Sequence, residues 1–136
     1  MRILNSYIVD KGSKLNINKR TAYSYANRAS LYNIEPKETF RTIRWVITYE
    51  SKETAINMKS IYGNQNDIII KFKIPPGCYN AGSINKIGIS YIPDRVETLI
   101  SPYTVMMMRK KDENMITLNL DKDSKDFDFS MKLSNM

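Results

Sequence analysis

Residues Gly88–Val105, GISYIPDRVETLISPYTV, decide how this chain is read. A turn, Tyr91-Ile92-Pro93-Asp94, leads into a short apolar run in which Val96, Leu99 and Ile100 surround a single acid, Glu97. Ser101-Pro102 then breaks the run. β-Branched and aliphatic residues between Pro-containing turns are the pattern of a strand with punctuated ends. A carboxylate at the mouth of a strand, beside a turn, is one way to hold a catalytic group on a rigid edge. It is equally the pattern of a solvated strand end, and both readings stay open on this stretch alone.

The neighbouring segments extend the strand pattern. On the C-terminal side, strands are expected over 96–101 and 103–109, with a hairpin through Lys111-Asp112-Glu113-Asn114 into 115–120. The closing FDFSMKL puts Phe127, Phe129, Met131 and Leu133 on one face. On the N-terminal side, residues 87–91 read as a strand and 78–86 as irregular. Ile68–Ile74 is a strong strand stopped by Pro75-Pro76-Gly77.

The first half is read as more helical. After a strand over 2–9 and a turn at Asp10–Ser13, Asn16 or Asn18 offers a cap for a helix to about Asn33. Ala22, Tyr25, Ala26, Ala29 and Tyr32 would form its apolar stripe. Residues 39–49 read as one strand. Ser51 caps a second helix over SKETAINMKSIY, with Ala55, Met58 and Tyr62 facing inward. Early helices and late antiparallel strands predict an α+β domain, residues 1–136, with the helices packed on a mostly antiparallel β-sandwich.

Composition narrows the chemistry. With 136 residues there is material for one core and not two. There is no histidine, which removes Ser-His-Asp and Cys-His catalysis and the common zinc sites together. The single Cys78 excludes an internal disulfide and a multi-cysteine metal site. The cluster Asp121, Asp123, Asp126, Asp128 lacks the glycine and the final glutamate of a calcium loop, so no metal is expected. Five scattered glycines form no phosphate loop. Catalysis, if present, rests on carboxylates, Arg, Lys, Tyr or Ser.

The net charge of +7 is concentrated in residues 1–60, which carry 11 Lys/Arg against 5 Asp/Glu. That bias suits an anionic partner, such as nucleic acid, an acidic protein face or a phosphate-bearing ligand, and it also suits a lysine-rich solvated surface. A nucleic-acid reading would use Arg41, Arg44, Lys71 and Lys73 along adjacent strands. No apolar run approaches the roughly 20 residues of a spanning helix, and MRILNSYIVDKG lacks the succession of a secretory signal.

Taken in order, VITYESKETAINM, IIIKFKIPPG and YIPDRVETLISPYTV resemble the catalytic half of the ADP-ribosyltransferases, and most of all the bacterial toxins that modify actin or Rho proteins. In that family a Ser-Thr-Ser strand leads into a short helix. A specificity turn then precedes a Glu/Gln-x-Glu motif and an apolar strand, which TLISPYTV after Glu97 resembles. The resemblance implies an ADP-ribosyltransferase-like fold and NAD as a substrate. It makes Glu97 the catalytic acid, with Ser51 or Thr48 as the hydroxyl that orients it. An arginine on the first strand, Arg2, would pair with the NAD pyrophosphate. Tyr91 and Arg95 would meet the acceptor, a protein or other macromolecule of a host.

Two positions differ from the family pattern. The strand reads Thr48-Tyr49-Glu50-Ser51 in place of Ser-Thr-Ser, and Arg95 stands where the first Glu or Gln is expected. Three functions follow as alternatives: an NAD-dependent mono-ADP-ribosyltransferase, a catalytically silent domain of the same fold that binds a partner protein, and a small basic nucleic-acid binder. The location expected is cytoplasmic, or inside a host cell after delivery without a visible signal peptide.

Overall fold

The computed structural model describes residues 20–78, 81–83, 96–121 and 131–136, with the backbone only at 82, 83, 96 and 97. The expected strand over 2–9, the strand over 87–91 and most of FDFSMKL lie outside them, as do Arg2, Tyr91 and Arg95.

The described chain builds β1 (Arg20–Asn27), a 3-10 turn (Arg28–Leu31), β2 (Thr39–Thr42), β3 (Val46–Tyr49) and α1 (Lys52–Tyr62). It continues with β4 (Asp67–Ile74), β5 (Ala81–Ser83), β6 (Val96–Ile100), β7 (Val105–Lys111), β8 (Met115–Leu120) and β9 (Lys132–Ser134). The strands pair in one order, β5-β6-β3-β1-β4-β8-β7-β2-β9. All neighbours are antiparallel except β4–β8 and β2–β9. The α+β architecture stands, as one curled mixed sheet carrying one described α-helix.

The helix expected from 16 or 18 to 33 is replaced, over Arg20–Asn27, by β1. That strand pairs with β4 along its whole length, from Arg20↔Ile74 to Asn27↔Asp67. RTAYSYAN alternates: Ala22 and Ser24 are buried on one face, while Tyr23 and Tyr25 lie on the other beneath α1. The alanine spacing that suggests a helix is overridden because β1 sits inside the sheet, where strand pairing satisfies its backbone. The single strand expected over 39–49 is two, β2 and β3, interrupted at Ile43–Trp45 and belonging to opposite regions of the sheet.

Ile68, Ile70, Phe72 and Ile74 of β4 enter the main core, while Ile69 enters a second cluster under α1. The first half of the strand, Asp67 to Ile70, is buried on both faces and carries a continuous apolar run, while Lys71 and Lys73 beyond it are partly exposed. The main core adds Phe40, Met106, Met108, Ile116 and Leu118, all essentially inaccessible. A fully buried side chain of this size contributes about 1.5–3 kcal/mol.

Three turns place a proline before a residue of positive φ: Pro36 before Lys37 (φ 74), Pro76 before Gly77 (φ 69) and Pro102 before Tyr103 (φ 64). This is the dihedral signature of type II turns. The Pro102-Tyr103 turn carries the chain from β6 towards β2 and β7. There Tyr103 N–H donates to Thr42 O at 2.6 Å, and Arg41 Nη1 donates to Tyr103 O at 2.6 Å.

Helix α1 begins at Ser51, whose side chain accepts from Thr54 N–H at 3.1 Å, and ends at Gly63, whose N–H donates to Lys59 O. Ala55 is the residue it buries, against Tyr49, Ile69 and Leu99. Met58 packs beside them, whereas Tyr62, expected inside, is 70% exposed at the last turn.

Candidate functional site

Strands β3 and β6 bring two of the predicted residues, Thr48 and Glu97, to neighbouring positions. Their register runs Val46↔Ile100, Ile47↔Leu99, Thr48↔Thr98 and then Tyr49↔Val96. One step on β3 matches two on β6, so Glu97 is the extra residue of a β-bulge opposite Thr48 and Tyr49. Bulges interrupt side-chain alternation and re-aim the residues they hold, and they are frequent beside active sites.

Thr48 and Thr98, directly opposite each other, are both 0% exposed. Thr48 Oγ1 donates to Thr98 O at 2.8 Å, which ties β3 to the residue that follows Glu97. Thr98 Oγ1 is buried with no hydrogen-bond partner among the described residues. The Ser51 hydroxyl is occupied otherwise: it caps α1 and lies 2.8 Å from Thr54 Oγ1. Of the two candidates for the orienting hydroxyl, Thr48 is the one on the strand paired with the bulge.

Beside this pair the sheet opens. β1 and β3 share the register pair Tyr23↔Tyr49 and then separate, bridged by Ser24 Oγ donating to Ile47 O at 2.8 Å. The separation leaves a cleft of about 220 Å³, lined among others by Ser24, Ala26, Trp45, Tyr49, Phe72 and Met136. Its described lining carries no charged side chain. Such a neutral, aromatic wall suits a flat ring. The volume falls below the roughly 300–1,000 Å³ of clefts that enclose drug-sized ligands, so it fits one end of a large ligand.

The tyrosines behind the cleft are perturbed. Burial raises Tyr25 above its ordinary value, helped by the Asp67 carboxylate and Tyr62. Burial likewise raises Tyr49, with smaller contributions from Tyr25 and Tyr62. These phenols stay protonated and neutral where the cleft meets α1. Among the described residues no group of His, Cys, Asp or Glu could hold a metal ion.

The basic residues grouped for nucleic acid do not form one surface. Arg41 is 3% exposed and serves the Tyr103 turn, while β2 is separated from β4, with Lys71 and Lys73, by β7 and β8. At its Nη1, Arg41 meets the Tyr103 backbone carbonyl.

Sequence reading missed Ser24, Trp45 and Met136 as cleft residues. The alternation of small and aromatic residues in RTAYSYAN was the available signal for Ser24. Nothing local marks Met136.

No protein-family model and no curated protein matches the sequence. Solved structures do match. C3stau2 from Staphylococcus aureus, determined with NAD, superposes with a TM-score of 0.67 at 16% identity, covering 90% of this chain and 69% of that one. The Vis toxin from Vibrio splendidus, an ADP-ribosyltransferase, gives 0.58 at 16% identity, covering 98% and 63%. The C3 exoenzyme of Clostridium limosum gives 0.56 at 14% identity, covering 89% and 70%.

The chain has the fold of the bacterial ADP-ribosyltransferases.

It spans less than two thirds of the Vis toxin's length. At these identities the likeness is one of architecture. No described helix is long and apolar enough to cross a membrane.

Proposed function

We propose that this chain is an NAD-dependent mono-ADP-ribosyltransferase acting on a protein or another macromolecular acceptor. One observation carries the reading: in an ADP-ribosyltransferase fold, Glu97 is the extra residue of a bulge opposite Thr48 and Tyr49. The bond from the nicotinamide nitrogen to the ribose breaks, its electron pair leaves with nicotinamide, and a nucleophile of the acceptor takes its place. Positive charge develops on the sugar, and a preorganised carboxylate at Glu97 stabilises it. This chemistry needs no histidine and no metal, in keeping with a chain that has no histidine.

The neutral cleft between β1 and β3 would take the nicotinamide end, with Trp45 and Tyr49 as aromatic walls. Thr48 would hold the strand beside Glu97, and Ser51 would act indirectly by starting α1. Arg2 would meet the pyrophosphate, and Tyr91 and Arg95 the acceptor. The place of action in this reading is a cytoplasm, the chain's own or that of a host. The test is transfer from labelled NAD: Glu97→Gln should abolish both transfer and NAD hydrolysis while leaving the thermal midpoint unchanged. Equal labelling by wild type and Glu97→Gln would reject the assignment.

A second reading, a catalytically silent domain of the same fold that binds a partner protein, is favoured by one feature. The positions of the Ser-Thr-Ser motif read Thr48-Tyr49-Glu50-Ser51, and the Ser51 hydroxyl is tied to Thr54. It requires no heat of NAD binding by calorimetry and a partner complex that survives Glu97→Gln.

A further inference from the structure

A second hollow lies at the ends of β4 and β8 and shares no lining residue with the β1–β3 cleft. On these strands Ile70, Phe72, Ile116 and Leu118 enter the main core, so alternation puts Lys71, Lys73, Thr117 and Asn119 on the other face. Lys73 and Asn119 are direct partners in the parallel pair. The hollow measures about 140 Å³ and is lined by Lys73, Ile74, Pro75, Arg109, Asn119 and Leu120.

Two features set it apart from a merely solvated basic face. The first is a bulge on β7: Met108↔Leu118 is followed by Lys110↔Thr117, which leaves Arg109 as the extra residue. A regular strand would present one side chain there, and the bulge adds Arg109 to the wall of the hollow beside Lys110. Among the described residues Lys110 meets Asp112 at 3.5 Å, whereas the exposed Arg109 has no carboxylate partner. The second feature is the orientation of Asn119. Its Oδ1 is buried without a hydrogen-bond partner among the described residues, so the Nδ2 end is the one left open to the hollow. Leaving a buried carbonyl oxygen unpaired is unfavourable, yet it turns the donors of the amide outward. The polar side chains lining the hollow therefore all present donors: a guanidinium fork, an ammonium and an amide N–H.

We infer that this hollow is a binding site for the terminal phosphate of a small phosphomonoester, separate from the β1–β3 cleft. A tetrahedral dianion offers acceptors in several directions, and the Arg109 fork suits two of its oxygens at once. Lys73 adds a point charge, and Asn119 Nδ2 adds a neutral donor. The volume, against about 30 Å³ for one water in the liquid, admits a phosphate group and leaves the rest of the ligand outside. A monoester presents all its free oxygens to one set of donors, whereas a diester carries a substituent on each side. The site goes beyond the transferase reading and does not depend on it.

The full chain, Arg109→Gln, Asn119→Leu and the control Lys52→Gln are titrated with ribose 5-phosphate, inorganic phosphate, acetate and NAD at constant ionic strength, recording heat of binding and thermal midpoint. Lys52→Gln removes the same charge from the exposed start of α1. Ribose 5-phosphate should bind wild type saturably, and acetate should not displace it. Arg109→Gln should weaken that binding about tenfold or more, Asn119→Leu about two- to tenfold, and Lys52→Gln less than about twofold. Asn119→Leu should leave the midpoint of the unliganded chain unchanged or higher, because it removes an unpaired buried oxygen. A lower midpoint would mean that Oδ1 has a partner and would remove Asn119 from the site. No saturable binding of ribose 5-phosphate or inorganic phosphate overturns the proposal. So does equal weakening by Arg109→Gln and Lys52→Gln, the mark of attraction to net charge alone. Displacement by acetate would overturn the phosphate class, and loss of NAD binding in Arg109→Gln would overturn the separation from the cleft. Ribose 5-phosphate binding as expected, with NAD bound by none of the four chains, would uphold the site and reject the NAD reading.

Discussion

Two threonines facing each other across β3 and β6 should respond to the same substitution with opposite signs. Thr48 and Thr98 are both fully buried and paired in register, one residue from the bulge at Glu97. Thr98 Oγ1 has no hydrogen-bond partner among the described residues. A buried hydroxyl without a partner costs about 1–3 kcal/mol on protein mutational scales. Thr98→Val removes that cost while keeping a β-branched side chain of nearly the same shape, so it should stabilise the fold by about 1–2 kcal/mol. Thr48 Oγ1 instead donates to Thr98 O at 2.8 Å, and Thr48→Val deletes a satisfied bond. The expected loss is about 0.5–1.5 kcal/mol.

The assay is urea unfolding of wild type, both single variants and the double variant, with midpoint and slope fitted separately. The slopes should agree, the midpoints should move in opposite directions, and the double variant should lie near wild type. Residues this close are expected to couple, so the double variant measures how far the two effects interact. Destabilisation by Thr98→Val would refute the reasoning, because it would mean that the hydroxyl has a partner. If Thr98→Val stabilised the fold and also weakened NAD turnover, the buried hydroxyl would be marked as a group kept for the ligand at a cost in stability.

Gly63 ends α1 in a conformation open to any residue, yet an added Cβ would lie 2.6 Å from Lys59 O and 2.8 Å from Asp67 Oδ2. Gly63→Ala should therefore cost about 1–3 kcal/mol by overpacking, read as a lower urea midpoint; an unchanged midpoint would show that the loop gives way freely. Tyr25 and Tyr49, both raised above 10.0 chiefly by burial, keep their protons in the fold after the unfolded chain has lost its own. Their contribution to stability is thus fully present below about pH 10 and is lost as pH rises through the folded values, so stability should fall at alkaline pH. Ultraviolet titration of phenolate should show tyrosines ionising above the ordinary value in the folded chain. Ionisation of all nine tyrosines at the ordinary value would contradict the burial argument.

The local code was readable wherever a segment's own residues settle its structure. Ser51 caps α1 as its hydroxyl chemistry demands, Ile68–Ile74 is a strand, and β7 and β8 form the hairpin expected around Lys111–Asn114. The order of motifs around Glu97 was enough to expect the ADP-ribosyltransferase fold. Arg20–Asn27 was misread because its alanines match a helical period, and only pairing with β4 along its length selects the strand. Arg41 reads as a surface cation until the Tyr103 turn is placed over it.

The sequence alone determined the class of the fold, the exclusion of histidine chemistry and the singling out of Glu97, since composition and short-range pattern carry those. Only the tertiary structure decided that Glu97 sits on a bulge opposite Thr48, that an aromatic cleft opens where β1 and β3 part, and that Met136 joins its lining. Strand register and the meeting of residues 24, 45 and 136 are set by long-range pairing energies, which no local stretch of the chain contains.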